Sequence, residues 1–195
     1  MENLAQTLWG LSKRSITKPR AAAHEVLAMQ LPMQTRWMAL ALASVLSALL
    51  LHVSLNLLPV ADRQMLFGVP APMESALVQG GLLVLMAILA HQVGRWRGGR
   101  GSFADALILM VWWQTVLLGF QLVQIAALLV LPMATNILGL VGLVLVFWLL
   151  TSFIAELHGF SSLAKVLVGI IATFIGVSIV LSILLVPFMS IGAGG

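Results

Sequence analysis

Five long apolar stretches constrain this 195-residue chain more than any other feature of its sequence. They cover residues 37–58, 75–94, 105–131, 136–157 and 163–188. Each is near or above the ~20 residues that an α-helix needs to cross the hydrocarbon core of a bilayer. Strands are a poor alternative, because the runs are too long and lack alternation of apolar and polar residues. The sequence therefore predicts an all-α integral membrane bundle of five transmembrane helices.

The composition fits a chain surrounded by lipid. Of the residues, 61% are hydrophobic and only 8% are charged, whereas a soluble domain carries roughly 25% charged residues. We predict an N-terminal segment over residues 1–36, a transmembrane domain over residues 37–190 and a short tail over residues 191–195. The first apolar run is longer than the ~7–15-residue core of a cleaved signal peptide, so we interpret it as a span.

The basic residues indicate how the bundle is oriented. If the N-terminus is cytoplasmic, the opposite side holds only Arg63, and the cytoplasmic side holds Lys13, Arg14, Lys18, Arg20, Arg36, Arg95, Arg97, Arg100 and Lys165. This asymmetry is a strong positive-inside signal, and five spans then place the C-terminus outside. The net charge of +4 is thereby explained by topology, and we expect no nucleic-acid partner, since no continuous basic surface remains outside the membrane.

The N-terminal segment contains two short helical patterns. Leu4, Leu8 and Leu11 recur at helical spacing, and a second pattern follows Pro19, a residue typical of a first helical turn. We predict two short amphipathic helices lying in the headgroup layer. The alternative, for residues 1–16 and for residues 19–31, is a partly disordered leader.

Three arginines between the second and third spans are candidate contacts for a lipid or a partner. Arg95, Arg97 and Arg100 lie within one short loop. Clustered basic residues next to a span are attracted to anionic headgroups. We therefore expect anionic lipid at the cytoplasmic side to contact them.

Polar side chains inside the spans are the candidate intramembrane contacts, because each is costly in lipid. Gln114, Gln121 and Gln124 of the third span fall within a stripe about 80° wide on one helix. We favour hydrogen bonds between helices, and the alternative is a polar lining for a path. Glu156 ends the fourth span, where it either pairs with Lys165 or an arginine of the second loop, or is an ordinary charge at a helix end.

Other residues point to packing instead of chemistry. His52 and His91 lie at different predicted depths without an acidic partner, so we interpret them as hydrogen-bonded or interfacial histidines. In the fifth span, Ala172 and Gly176 have the spacing that lets helices approach closely, as do Ser178 and Ser182, which predicts burial in the bundle. The chain has no cysteine, and no catalytic or phosphate-binding motif is present. We therefore predict no catalytic residues, no cofactor and no metal.

Three loop motifs resemble the Yip (Ypt-interacting-protein) domain family. These are residues 15–22 (SITKPRAA), residues 98–107 (GGRGSFADAL) and residues 156–161 (ELHGFS). The resemblance implies five spans and a cytoplasmic N-terminus. Eukaryotic members engage Rab-type GTPases, but that role transfers poorly, because this chain has no tyrosine and lacks their Asp-Leu-Tyr-Gly-Pro signature. It is more similar to a prokaryotic branch, which implies a bacterial inner membrane.

The leading functional hypothesis is a non-enzymatic membrane scaffold or adaptor. It would act through contacts between helices and through its basic face, with membrane lipids and another membrane protein or a second copy as partners. The alternative is a small transporter or channel component, with the glutamines of the third span lining a path. A membrane enzyme ranks third.

Overall fold

The computed structural model describes residues 2–58 and 70–192. Arg63, on which the charge count partly depends, and the end of the predicted tail, residues 193–195, lie outside the described residues. The described chain forms a short 3₁₀ turn over Pro132–Ala134 and the helices α1 (Glu2–Thr17), α2 (Pro19–Ala28), α3 (Met33–Leu57), α4 (Pro72–Trp96), α5 (Phe103–Val130), α6 (Thr135–His158) and α7 (Leu163–Gly192). Five of them, α3 to α7, are long and apolar enough to cross a membrane. The predicted all-α membrane bundle is confirmed.

Local sequence signals define several helix ends. Pro72 occupies the first turn of α4, where its missing N–H is not needed. Ser102 caps α5, because its hydroxyl oxygen accepts a hydrogen bond from the Asp105 N–H at 3.1 Å. Helix α6 ends at Gly159, whose φ of +72° is a left-handed conformation that suits glycine.

Helix α5 forms the centre of the bundle. It packs against α2, α3, α4 and α6, and it is the most buried of the five spans. Leu107, Leu109 and Met110 near its N-terminus are fully buried. Consecutive spans run in opposite directions, so α1, α2, loop 97–102 and loop 159–162 lie at one end of the bundle. We call this end the basic end.

Helices α1 and α2 pack onto the bundle at the basic end. Ala22 and Ala23 of α2 are fully buried, because α2 lies against α5 and α6. The Trp112 Nε1–H of α5 donates a hydrogen bond to the buried Ser15 hydroxyl of α1 at 2.9 Å. Helix α1 thus contacts the bundle through Ser15 near its C-terminal end. The position of both helices in the headgroup layer stays a prediction.

The prediction that the fifth span is buried in the bundle is wrong. Helix α7 is the least buried of the five, and it packs mainly against α6. A side chain at Gly176 would meet open space, so this small residue does not mark a contact with another helix that the structure describes. Lipid-facing and helix-facing surfaces are equally apolar in a membrane protein, which is why spacing alone misplaced this helix.

Candidate functional site

The basic end brings together segments that are far apart in the sequence. Its centre is His158, the last residue of α6, which is buried. The Gly101 N–H donates a hydrogen bond to His158 Nδ1 at 3.2 Å, so Nδ1 carries no proton. The other ring nitrogen, Nε2, therefore donates to the Ala90 carbonyl at 2.9 Å. One neutral side chain thereby ties α4, loop 97–102 and α6 together.

Glycines make room for this histidine. A Cβ atom at Gly94 or Gly99 would lie inside the space of the His158 ring, and one at Gly101 would meet Leu157. The ring can approach the backbone of α4 and of loop 97–102 only because these positions lack side chains. The glycines of the loop motif and the histidine of the following motif thus form one packing unit.

A second histidine fixes the same loop. His91 Nδ1 lies 3.0 Å from the Gly101 carbonyl oxygen, within hydrogen-bond distance. Its ring also meets Phe103 edge-on, with the ring centroids 6.4 Å apart. At the other end of the bundle, His52 contacts the Ala48 and Pro70 carbonyls at 2.8 and 3.2 Å. Both side chains are hydrogen-bonded, as the sequence analysis favoured.

Three acidic side chains at the basic end are held in ion pairs with arginines of other segments. Asp105 of α5 pairs with the buried Arg36 of α3 at 3.1 Å. Glu25 of α2 pairs with Arg14 of α1 at 2.7 Å. The third acidic side chain is Glu156. The three ion pairs connect helices, and in each pair an arginine offsets the charge of the carboxylate.

Glu156 has a partner that the sequence did not suggest. Its carboxylate accepts a hydrogen bond from the Arg20 Nε–H at 3.1 Å and lies 3.4 Å from His24 Nδ1, both on α2. Lys165 does not pair with it, and neither does any of the three arginines of the second connection, Arg95, Arg97 and Arg100, so those proposed pairings are wrong. The contact joins α2 to α6, because α2 lies across the end of α6.

The remaining basic side chains at this end are exposed and uncompensated. They make no ion pair with any residue in the ranges 2–58 and 70–192, and they are Lys13, Lys18, Arg95, Arg97, Arg100 and Lys165. The three candidate arginines of the sequence analysis belong to this set. The basic end therefore presents an excess of positive charge to its surroundings.

The glutamines of the third span meet at a polar cavity in the other half of the bundle. The Gln114 Nε2–H donates to the Ser47 hydroxyl of α3 at 3.1 Å, a hydrogen bond between helices. Gln114, Gln121 and Gln124 line one cavity of about 540 Å³, together with Gln79 of α4. Sequence analysis missed Gln79, although an amide at membrane depth was the available signal. The glutamines thus combine an interhelical contact with a polar lining.

No group of three metal-ligating side chains occurs among the residues that the structure describes. The expectations of no catalytic residue, cofactor or metal stay predictions. What the described chain contains is a helical bundle with a basic end and a polar cavity.

Five membrane-length helices arranged in this way define a multi-pass helical membrane protein. The family model of the Yip1 domain matches residues 13–184, which is most of the chain and includes all three loop motifs. The chain therefore belongs to the Yip1 domain family, as the motifs indicated. This family is not known as enzymatic. No curated protein and no solved structure matches the chain.

Proposed function

We propose that this protein is a non-enzymatic membrane scaffold or adaptor of the bacterial inner membrane. Its basic end faces the cytoplasm, where it binds anionic headgroups and holds a partner membrane protein or a second copy. The observation that carries this proposal is the charge arrangement of the basic end. Three acidic side chains form ion pairs with arginines of the same chain, while six basic side chains are exposed and make no ion pair among the described residues.

Electrostatics favour an anionic surface as the first contact. The cytoplasmic leaflet is negatively charged, and each basic residue near it contributes ~1 kcal/mol. Arg95, Arg97 and Arg100 lie close together in sequence, and all three side chains are exposed. Their combined contribution is sufficient to hold this end of the bundle against the headgroups.

Two of these arginines, Arg97 and Arg100, lie in a loop that is held in place by hydrogen bonds, and Arg95 lies in the last turn of α4. Gly101 donates to His158 and its carbonyl contacts His91, so loop 97–102 is fixed to α4 and α6. A preorganised loop loses less conformational entropy on binding than a mobile one. This supports a docking role for the basic end.

The test compares two variants in fragments of native membrane extracted with a polymer. In Arg95→Gln/Arg97→Gln/Arg100→Gln we expect the enrichment of anionic lipid over bulk membrane to disappear. Retention of co-purifying membrane protein should fall on the order of a hundredfold, because three basic residues at ~1 kcal/mol each are removed. Gln121→Leu, which alters only the polar cavity, should behave like the original protein in this assay. Unchanged lipid and protein content in the triple variant would contradict the scaffold proposal.

A second candidate function is favoured by the polar cavity. A small transporter or channel component would use the space of about 540 Å³ between Gln79, Gln114, Gln121 and Gln124 as part of its path. Amide groups in a spanning segment are costly unless they are hydrogen-bonded or face such a cavity. The proposal predicts flux of a small polar solute.

Liposomes that contain the purified protein test this second candidate. Gln121→Leu should abolish any flux of small solutes, whereas Gln92→Leu, an identical change at an exposed position of α4 that does not line the cavity, should preserve it. The arginine triple variant should also preserve it. Absence of flux in the unaltered protein for a panel of small solutes and ions would eliminate the transporter.

A further inference from the structure

A long groove separates α4 from α7. It has a volume of about 530 Å³, and its floor includes Leu150 and Ile154 of α6. Helix α7 packs mainly against α6, so its side towards α4 stays open. The two walls come from apolar side chains of α4 and α7, among them Leu82, Leu89 and Ile170. This groove is distinct from the glutamine-lined cavity, with which it shares no residue.

The charges of the groove are concentrated at one end. Arg97 of loop 97–102 and Lys165 of α7 both line the groove at the basic end, next to Ser161 and Ser162. Both cationic side chains are exposed, and neither makes an ion pair within the described ranges. Arg95 and Arg100 do not line the groove. Thus two of the six unpaired basic residues are placed where a long apolar surface begins.

The groove is longer than the hydrocarbon region of one bilayer leaflet. From Arg97 to Leu82 the wall follows α4 for about 22 Å, at ~1.5 Å per residue. The hydrocarbon of one leaflet is ~15 Å thick, half of the ~30 Å core. An acyl chain whose headgroup lies at the basic end can therefore be accommodated along its whole length. Thr173 also lines the groove, and its hydroxyl donates a hydrogen bond to the Gly169 carbonyl. It therefore needs no hydrogen bond from an acyl chain in the groove.

We propose that this groove is a specific site for one anionic phospholipid of the leaflet at the basic end. Its phosphate would be held by Arg97 and Lys165, and an acyl chain would lie between α4 and α7. The arrangement combines an apolar groove that an acyl chain can fill with two positive charges at one end, which matches an amphiphile with an anionic headgroup. The site deepens the proposed function, since it rests on the contact between the basic end and anionic lipid.

The test measures lipid binding to the purified protein by native mass spectrometry, with phosphatidylglycerol and phosphatidylcholine as probes. We expect phosphatidylglycerol to bind more tightly, with one lipid retained most strongly. Arg97→Gln/Lys165→Gln should weaken its binding about thirtyfold. The control variant is Arg95→Gln/Arg100→Gln, which also removes two positive charges from the basic end, but at positions outside the groove. It should change the binding of this tightest lipid by less than about twofold.

A second pair of variants tests the acyl-chain part of the site. Gly169 lines the groove and has open space at its Cβ, so Gly169→Phe fills the groove without a clash at the backbone. Gly176 lies on the same helix with the same open space but outside the groove lining. Gly169→Phe should abolish retention of the tightest phosphatidylglycerol, while Gly176→Phe should leave it unchanged.

Several results would overturn the site. If the two double variants lost phosphatidylglycerol binding equally, the lipid would bind to the basic surface as a whole and not to a site in the groove. Equal binding of the two lipids, or no effect of Gly169→Phe, would remove the anionic-lipid assignment. A dimer that dissociates in Gly169→Phe would make a second copy of the chain the occupant. Because this assay needs no partner protein, its outcome is independent of whether the scaffold test in native membrane succeeds.

Discussion

At the scale of single residues, the packing of His158 against glycine backbone explains why two of the loop motifs occur together. The imidazole accepts from Gly101 and donates to Ala90, which requires Gly94 and Gly99 to lack side chains. Sequence analysis identified both motifs but could not predict that they meet. Nothing in either motif says which loop lies beside which, because that depends on the packing of α4 against α6.

This packing predicts the effect of one methyl group. Gly94→Ala places a Cβ in the space of the His158 ring and should lower the free energy of unfolding by about 1–3 kcal/mol, as overpacking does. Gly81→Ala lies on the same helix and meets open space, so it should be neutral or stabilising by up to ~1 kcal/mol. Thermal unfolding in detergent measures both changes.

A double variant controls for helix propensity. In a His158→Ala background the ring is absent, so Gly94→Ala should cost much less than it does in the original protein. Equal midpoint shifts for Gly94→Ala and Gly81→Ala would contradict the packing of His158 described here.

At the scale of helices, the sequence predicted which segments span the membrane, but it did not predict which helices pack against each other. Long apolar runs are sufficient to identify α3 to α7, since a bilayer demands that length. The helices begin before the apolar runs do, for example at Met33 and Pro72, because capping and first-turn residues outside the hydrocarbon continue the helix. The sequence did not predict that α7 is exposed, because lipid-facing and helix-facing surfaces are equally apolar. It did not predict that Arg20 pairs with Glu156 either, because that contact depends on how α2 packs against α6.

The attachment of α1 gives a prediction for a whole helix. Ser15→Ala removes the acceptor of the buried Trp112 N–H, and an unsatisfied buried donor costs about 1–3 kcal/mol. Helix α1 should detach more often, so trypsin should cleave after Lys13 and Arg14 several-fold faster. Thr17→Ala is the matched control, because the exposed Thr17 hydroxyl bonds only to Lys13 of the same helix. Equal cleavage rates in the two variants would mean that Trp112 does not anchor α1.

At the scale of the whole molecule, the account depends on which way the bundle faces. The sequence identified Arg95, Arg97 and Arg100 as candidate contacts, because charge near a span is a local property, but it did not predict that they make no ion pair. The cavity and the groove were not predicted, since each is formed by helices that are distant in the chain. The scaffold proposal, and the lipid site that rests on it, place the basic end at the cytoplasmic leaflet.

Cysteine labelling in intact cells tests this orientation most directly, because the chain has no cysteine of its own. Ser161→Cys introduces a thiol in an exposed loop of the basic end, and Met133→Cys introduces one at the other end, where Met133 is 90% exposed. A membrane-impermeant maleimide should label Met133→Cys in intact cells and Ser161→Cys only after permeabilisation. Labelling of Ser161→Cys from outside, or of both variants on the same side, would contradict the account.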